Sequence, residues 1–245
     1  MPLDSAGRIA LVTGANRGLG LGVARLLAQK GMTVYLSART EEKARAAAER
    51  LAADGLPVTP LLLDVATAAH AGRAAEQIRE DHGRLDVLVH NAAAFADWDE
   101  RASTAEMEGV RRMAETNVLG PWRLTQALLP LLRASDAGRV VFVTSGAASH
   151  GEEAFGLSAN GGAAASYGVT KAALNALTAK WAAELADTPV LVNAVDPGLT
   201  DTAPGMKEMG ARPVAESAPG VVWAATLDVE GPTGGFFRDG ERIPW

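Results

Sequence analysis

Short apolar runs alternate with longer amphipathic stretches along most of the chain. Runs at 9–12, 33–37, 58–63, 85–89, 139–143 and 190–195 are dominated by Val, Leu, Ile and Ala. Strands that read as near-continuous apolar segments are those buried on both faces of a parallel sheet. Between them, 20–29, 41–53, 68–80, 105–132 and 165–186 are rich in Ala, Leu, Glu and Arg, all good helix formers. Alternation of this kind predicts an α/β fold, a doubly wound parallel sheet with helices on both faces. Pro130 is expected to kink or end the fourth helix.

No linker, internal repeat or abrupt shift of composition divides the chain, so residues 1–245 read as one domain. Two loops follow predicted strands: 147–162, with the pair Gly161-Gly162, and 199–212, with Pro204, Gly205 and Gly210. In such sheets ligands bind beyond the carboxyl ends of the strands. Taken alone, both loops are better read as ordinary flexible surface connections.

Composition narrows the partners. With 23 basic and 29 acidic residues the formal net charge is −6, which suits a soluble protein and argues against nucleic acid as the main partner. A phosphate-bearing cofactor would need local positive charge. The chain has no cysteine, which excludes disulfides, thiolate metal sites and cysteine nucleophiles together, and no metal site is read. Apolar stretches such as 124–132 are far shorter than the roughly 20 residues that cross a bilayer. The segment 1–9 carries Asp4 and Arg8 and lacks the layout of a signal peptide. The expectation is a cytoplasmic protein without membrane partners.

The first strand runs into Thr13-Gly14-Ala15-Asn16-Arg17-Gly18-Leu19-Gly20. Glycines at a strand-to-helix turn let the backbone bend sharply and approach a pyrophosphate, with the helix N–H groups facing it. A tight connection would need the same residues; the position after the first strand of an alternating chain favours the Rossmann-type reading. In dinucleotide folds an acid about 20 residues further on holds the ribose 2′-hydroxyl. Here the second strand ends Leu36-Ser37-Ala38-Arg39, with no carboxylate. Arg39, and Arg17 within the loop, offer cations for a 2′-phosphate, which points to NADP(H).

Tyr167 and Lys171 lie four residues apart on a predicted helix, so phenol and ammonium share a face. A nearby cation favours the ionised phenol, whose reference pKa of about 10 is high for proton exchange at neutral pH. Such a pair is common on helix surfaces and needs company. Ser145 supplies it, closing the fifth strand where a hydroxyl could bind a carbonyl oxygen. Asn117 lies in the long fourth helical pattern, unremarkable if exposed and in need of partners if buried.

These residues resemble, in order and along essentially the whole chain, the short-chain dehydrogenase/reductases. Residues 13–20 are similar to that family's TGxxxGxG loop, Asp64-Val65 to its adenine-side contact and Asn91-Ala92-Ala93 to its NAG segment. Asn117, Ser145, Tyr167 and Lys171 match its catalytic tetrad, Pro197-Gly198 its turn near the nicotinamide and Thr202 the threonine beyond it. Asn16-Arg17, Ala38-Arg39 and the ending at 234–240 are most similar to the NADPH-dependent carbonyl reductases. The resemblance implies cofactor contacts from Gly14, Asn16, Arg17, Gly18, Leu19, Gly20 and the later segments, Tyr167 and Lys171 included. It further implies carbonyl reduction, or the reverse oxidation, with Tyr167 as general acid, Ser145 orienting the carbonyl, Lys171 holding the ribose and lowering the phenol pKa, and Asn117 anchoring a water-linked proton path.

Departures are local. Ala93 stands where the family has glycine, and the interval from Ser145 to Tyr167 is long, which marks 147–162 as an inserted loop beside the substrate. The segment 202–212 is short for a lid, implying an open pocket. His150, Glu152, Glu153, Phe155, Phe95, Trp98 and Met206 are candidate wall residues, and loop packing is an equal alternative for each. His90 is read as a packed residue without a role. Trp122 and Trp181 suit either the core or a homodimer or homotetramer contact. Two rivals keep the cofactor: a sensor or scaffold binding NADP(H) without turnover, and a relative performing epimerisation or dehydration.

Overall fold

Period-two alternation along the strands sorts the apolar residues of the sheet into two cores. A computed structural model describes residues 5–245; of the N-terminal stretch considered above, residues 1–4 lie outside the described residues. In β1 (Ile9–Val12), Ile9 and Leu11 face one side, while Ala10 and Val12 face the other. The remaining strands are β2 (Thr33–Ala38), β3 (Thr59–Leu62), β4 (Val87–His90), β5 (Arg139–Val143), β6 (Leu191–Val195), β7 (Phe236–Arg238) and β8 (Glu241–Arg242). Their order is β3-β2-β1-β4-β5-β6-β7-β8, parallel throughout except for the hairpin of β7 with β8. The chain reverses its direction of winding between β1 and β4, the crevice at which dinucleotide folds bind their ligand.

Helices α3 (Ala68–His82), α5 (Gly120–Arg133) and α6 (Ala165–Glu184) close the core that contains Leu11, Leu88 and Phe142. On the opposite face α1 (Gly18–Gln29), α2 (Glu41–Ala53) and α7 (Val214–Ala225) cover Val12, Val34 and Val89. Each fully buried large apolar side chain contributes roughly 2 kcal/mol, so the strand ends are carried on a rigid base. This is a Rossmann fold, as the alternation predicts. The strands and helices read from the sequence recur within about two residues; α7, β7 and β8 were not among the six strand and five helix segments read above.

The stretch 105–132 is not one helix. It divides into α4 (Met107–Ala114), a π-helical turn at Glu115–Leu119 and α5. Such widened turns concentrate at functional sites, and this one contains Asn117. Pro130 does not stop α5, which continues to Arg133; its missing N–H falls so near the end that only one turn is affected. Trp181 is buried in the core, whereas Trp122 is 44% exposed. No helix among the described residues is long and apolar enough to cross a membrane.

His90, at the end of β4, is fully packed. Its ring stacks on Phe142 at 4.7 Å, and Nε2 lies 2.8 Å from the Thr125 hydroxyl, which itself donates to the Pro121 carbonyl. The hydroxyl therefore accepts from Nε2–H, fixing the neutral tautomer. Burial pushes the imidazole pKa down to about 3. As pH falls from 6.5 towards 3, the unfolded chain gains a proton at His90 that the folded chain does not, so folding stability is lost over that window. The stability difference between wild type and His90→Gln, measured by urea unfolding, should shrink there by up to about 1.4 kcal/mol per pH unit.

Candidate active site

The carboxyl edge of the sheet carries the glycine turn after β1, Asn91 after β4, Ser145 after β5 and the Pro197 turn after β6. Gly14 and Gly18 take φ of +62° and +55°, conformations that favour glycine. A Cβ on Gly14 would come within 2.9 Å of the Ala92 backbone, and one on Gly20 within 2.7 Å of the Gly14 carbonyl. The turn is therefore closed down to bare backbone. Thr13 and Asn91 staple it: the Thr13 hydroxyl accepts from the N–H groups of Asn91 and Ala92, each at 3.0 Å. The Asn91 amide donates to the carbonyls of Thr13 and Gly14 at 2.9 and 3.1 Å. Ala93 does not adopt a positive φ, so its methyl group adds no backbone strain.

The cations behave differently from one another. Arg39 is exposed at the end of β2 and makes no hydrogen bond or ion pair within the described residues. Arg17 instead turns to the lid, where Nη1 donates to the Thr202 carbonyl at 2.8 Å; a Cβ on Gly18 would meet the Thr202 side chain at 3.1 Å. In this arrangement Arg39 is left open to solvent, while Arg17 is engaged by the 199–212 loop. Arg50, 34 residues along the chain and without a local sequence signal, reaches from α2 to the Asn16 carbonyl at 2.7 Å. Asp64 follows β3 and its Oδ1 accepts from Ala66 N–H at 3.1 Å, with Val65 buried beside it.

Asn117 is completely buried, and its side chain is fully committed. Oδ1 accepts from Ala94 N–H at 2.8 Å, and Nδ2 donates to the Ala94 carbonyl at 2.9 Å and to the Thr170 hydroxyl at 3.0 Å. The amide therefore clamps the segment after β4 onto α6, and its side-chain atoms are not what a water path to Lys171 would use. Lys171 is buried under Tyr167, with Nζ 5.7 Å from the ring centroid and donating to the Val143 carbonyl at 2.8 Å. Burial pulls its pKa down to about 8, opposed by the charge of Asp196.

The Tyr167 phenol is half-buried at the start of α6, stacked on Phe95 at 5.1 Å and hydrogen-bonded with the Ser145 hydroxyl. Desolvation raises its pKa; the Ser145 hydrogen bond opposes the rise and the Asp196 charge adds to it. The expected lowering of the phenol pKa is not found in the protein alone, because burial moves it upwards and keeps the phenol neutral. Immediately before α6, Ala164 holds a φ of +48°, a conformation costing about 1 kcal/mol that fixes the entry into the helix.

Asp196, Pro197 and Gly198 follow β6. Asp196 is buried; Oδ1 accepts from Gly198 N–H at 2.9 Å, and Oδ2 from Arg238 Nε at 2.8 Å. Arg212 spans the base of the 199–212 loop, donating to the Pro197 carbonyl at 2.6 Å and pairing with Asp239 at 2.7 Å. The 147–162 loop is tied to the end of the chain: His150 N–H donates to the Trp245 carbonyl and the Ser149 hydroxyl to that of Pro244, each at 2.9 Å. A cavity of about 440 Å³ runs beside the site along Ala94, Phe95, Glu100, Arg112 and Met113. Of the wall residues suggested by the sequence only Phe95 lines it. Arg238 carries no local sequence signal, since its partners Asp196 and Glu152 lie 42 and 86 residues away.

A family model described as short chain dehydrogenase matches residues 8–212. The chain is 36% identical over 197 residues to the rhamnolipids biosynthesis 3-oxoacyl-(acyl-carrier-protein) reductase of Pseudomonas aeruginosa, covering 79% of this chain and 73% of that one. It is 33% identical over 200 residues to the 3-oxoacyl-(acyl-carrier-protein) reductase of Escherichia coli K12, covering 82% and 76%. Among solved structures, a short chain dehydrogenase of Shigella flexneri 2a complexed with NADP matches with a TM-score of 0.84 at 30% identity, covering 98% of this chain and 100% of that one. One from Escherichia coli CFT073 complexed with NADPH also gives 0.84, at 31% identity over 97% and 99% of the two chains. With the glycine turn at the winding reversal and Ser145, Tyr167 and Lys171 gathered on one sheet edge, these matches lead to one statement: the chain belongs to the short-chain dehydrogenase/reductase family.

Proposed function

We propose that the protein is an NADP(H)-dependent reductase of ketones or aldehydes, able to run the reverse oxidation, with Tyr167 as its general acid/base. The observation that carries this reading is the gathering of the Ser145 hydroxyl and the half-buried Tyr167 phenol over the buried Lys171 ammonium. When bound, the nicotinamide of NADPH supplies the hydride that a carbonyl carbon accepts. The bare-backbone glycine turn fits its pyrophosphate, and the exposed Arg39, which has no partner within the described residues and follows a strand end without a carboxylate, fits its 2′-phosphate.

Within that frame the side chains divide the work. Ser145 donates to the substrate oxygen and orients it. Tyr167, held protonated, delivers its proton to the same oxygen, and Lys171 below the ring provides positive charge that stabilises the phenolate left behind. Asn117 holds Ala94, and with it Phe95, against α6, which keeps the stacked Tyr167 ring in place. Because the resting phenol is neutral, reduction is favoured at neutral pH and oxidation of alcohols gains as pH rises.

The two relatives described as 3-oxoacyl reductases make 3-oxoacyl thioesters the first class to try, beside simple ketones and aldehydes. The test is NADPH oxidation over such a panel with the alcohol product quantified. Equimolar NADP and alcohol are expected for at least one substrate. Tight NADPH binding with no oxidation over the whole panel contradicts the reading, as does conversion of substrate with no net oxidation.

A further inference from the structure

Arg238 occupies a position that the proposed chemistry leaves unexplained. It rises from β7 between two carboxylates: Nη2 lies 2.6 Å from Asp196 Oδ2 and 2.7 Å from Glu152 Oε2. Asp196 belongs to the turn that carries Pro197 and Gly198, and Glu152 to the 147–162 loop. The third side of the ion triad is Gly146, next to Ser145. A Cβ there would fall 2.9 Å from Arg238 Nη2, 3.2 Å from Asp196 Oδ2 and 3.4 Å from Glu152 Cγ. The guanidinium thus packs against the backbone of the residue following Ser145.

Asp196 is the charge that matters to the neighbours. Its carboxylate is nearly inaccessible, at 4% exposure, and a buried anion acts over a longer range than a solvated one. It raises the phenol of Tyr167 and supports the ammonium of Lys171. The other groups around Lys171 are neutral or already paired. The π-helical turn presents the Asn117 amide, β5 the Val143 carbonyl, the turn after it the Ser145 hydroxyl, and Arg212 beside Pro197 is matched by Asp239.

We propose that Arg238 is a positioning residue of the active site: it compensates the buried charge of Asp196 and, through Glu152, docks the substrate loop against Ser145. The proposal rests on the reading of Tyr167 and Lys171 as the proton-handling pair. Without Arg238, Asp196 is left as an uncompensated anion, Lys171 holds its proton to higher pH, and the loop loses its charged anchor. Without the charge of Asp196, Lys171 is left with the neighbouring cation and releases its proton earlier. The two substitutions act in opposite directions, which a purely structural contact would not produce.

Lys171 is the one buried lysine of the chain, since Lys30, Lys43, Lys180 and Lys207 are all exposed, so its titration can be followed by itself. The experiment is a 13C NMR pH titration of the full chain labelled at lysine Cε, with Lys171 assigned by its loss in Lys171→Met. Arg238→Gln should raise the midpoint, and Asp196→Asn lower it, each by roughly one pH unit. Arg238→Lys should stay near the parent value, and the double variant Asp196→Asn/Arg238→Gln should return towards it. The double variant also keeps the test decisive if Arg238→Gln does not fold, because a midpoint there as low as in Asp196→Asn alone overturns the proposal. So do shifts of the same sign in the two single variants, or no shift in either. Failure of the functional reading is seen separately: Lys171 then titrates as expected while no carbonyl compound is turned over.

Discussion

Tyr167→Phe is expected to lower kcat for carbonyl reduction by about 10² to 10⁴-fold while leaving the Kd for NADPH within about twofold. The ring remains, so its stacking on Phe95 and its place over Lys171 are preserved; only the proton and the hydrogen bond with Ser145 disappear. Steady-state kinetics with NADPH at saturation, together with fluorescence titration of the coenzyme, separate the two effects. Appreciable residual reduction in the variant would remove Tyr167 from the role of general acid. A parallel loss of coenzyme affinity would instead mean that the phenol holds the cofactor.

Arg39→Ala should weaken NADPH by about 10- to 100-fold, corresponding to loss of hydrogen bonds between charged groups worth about 1.5–3 kcal/mol. NADH, which lacks the 2′-phosphate, should bind the variant and the wild type alike. The prediction is sharper for Arg39 than for Arg17, because Arg17 already has a partner in the Thr202 carbonyl, whereas Arg39 has none within the described residues. Arg17→Ala is expected to free the lid as well as remove a charge, so its effect should extend to NADH. Equal losses for both coenzymes in Arg39→Ala would refute its assignment to the phosphate.

Sequence patterns were most legible where local chemistry is repeated. Six apolar runs identified six of the strands, because burial on both faces demands continuous apolar residues, and the glycine turn was visible because bare backbone leaves no substitute. The last pair of strands escaped. Phe236–Arg238 is three residues long, too short to show a period. The break at 115–119 was equally silent, since residues there are compatible with a helix of ordinary pitch; the widened turn arises from the tertiary clamp of Asn117 on Ala94. Tyr167 and Lys171 could be placed on one face by spacing, yet the sign of the phenol shift could not, because desolvation depends on Phe95 and the surrounding loops. Arg238 was in plain view in the sequence, and its meaning depends on partners 42 and 86 residues away.

The central claim is that hydride moves to a carbonyl carbon while Tyr167 supplies the proton. Its most direct measurement is single-turnover reduction with NADPH carrying deuterium in the transferable position at C4, followed by mass and NMR analysis of the alcohol. The account predicts one deuterium, bonded to the former carbonyl carbon. An alcohol without deuterium, or a changed substrate with the label still on the coenzyme, would contradict it.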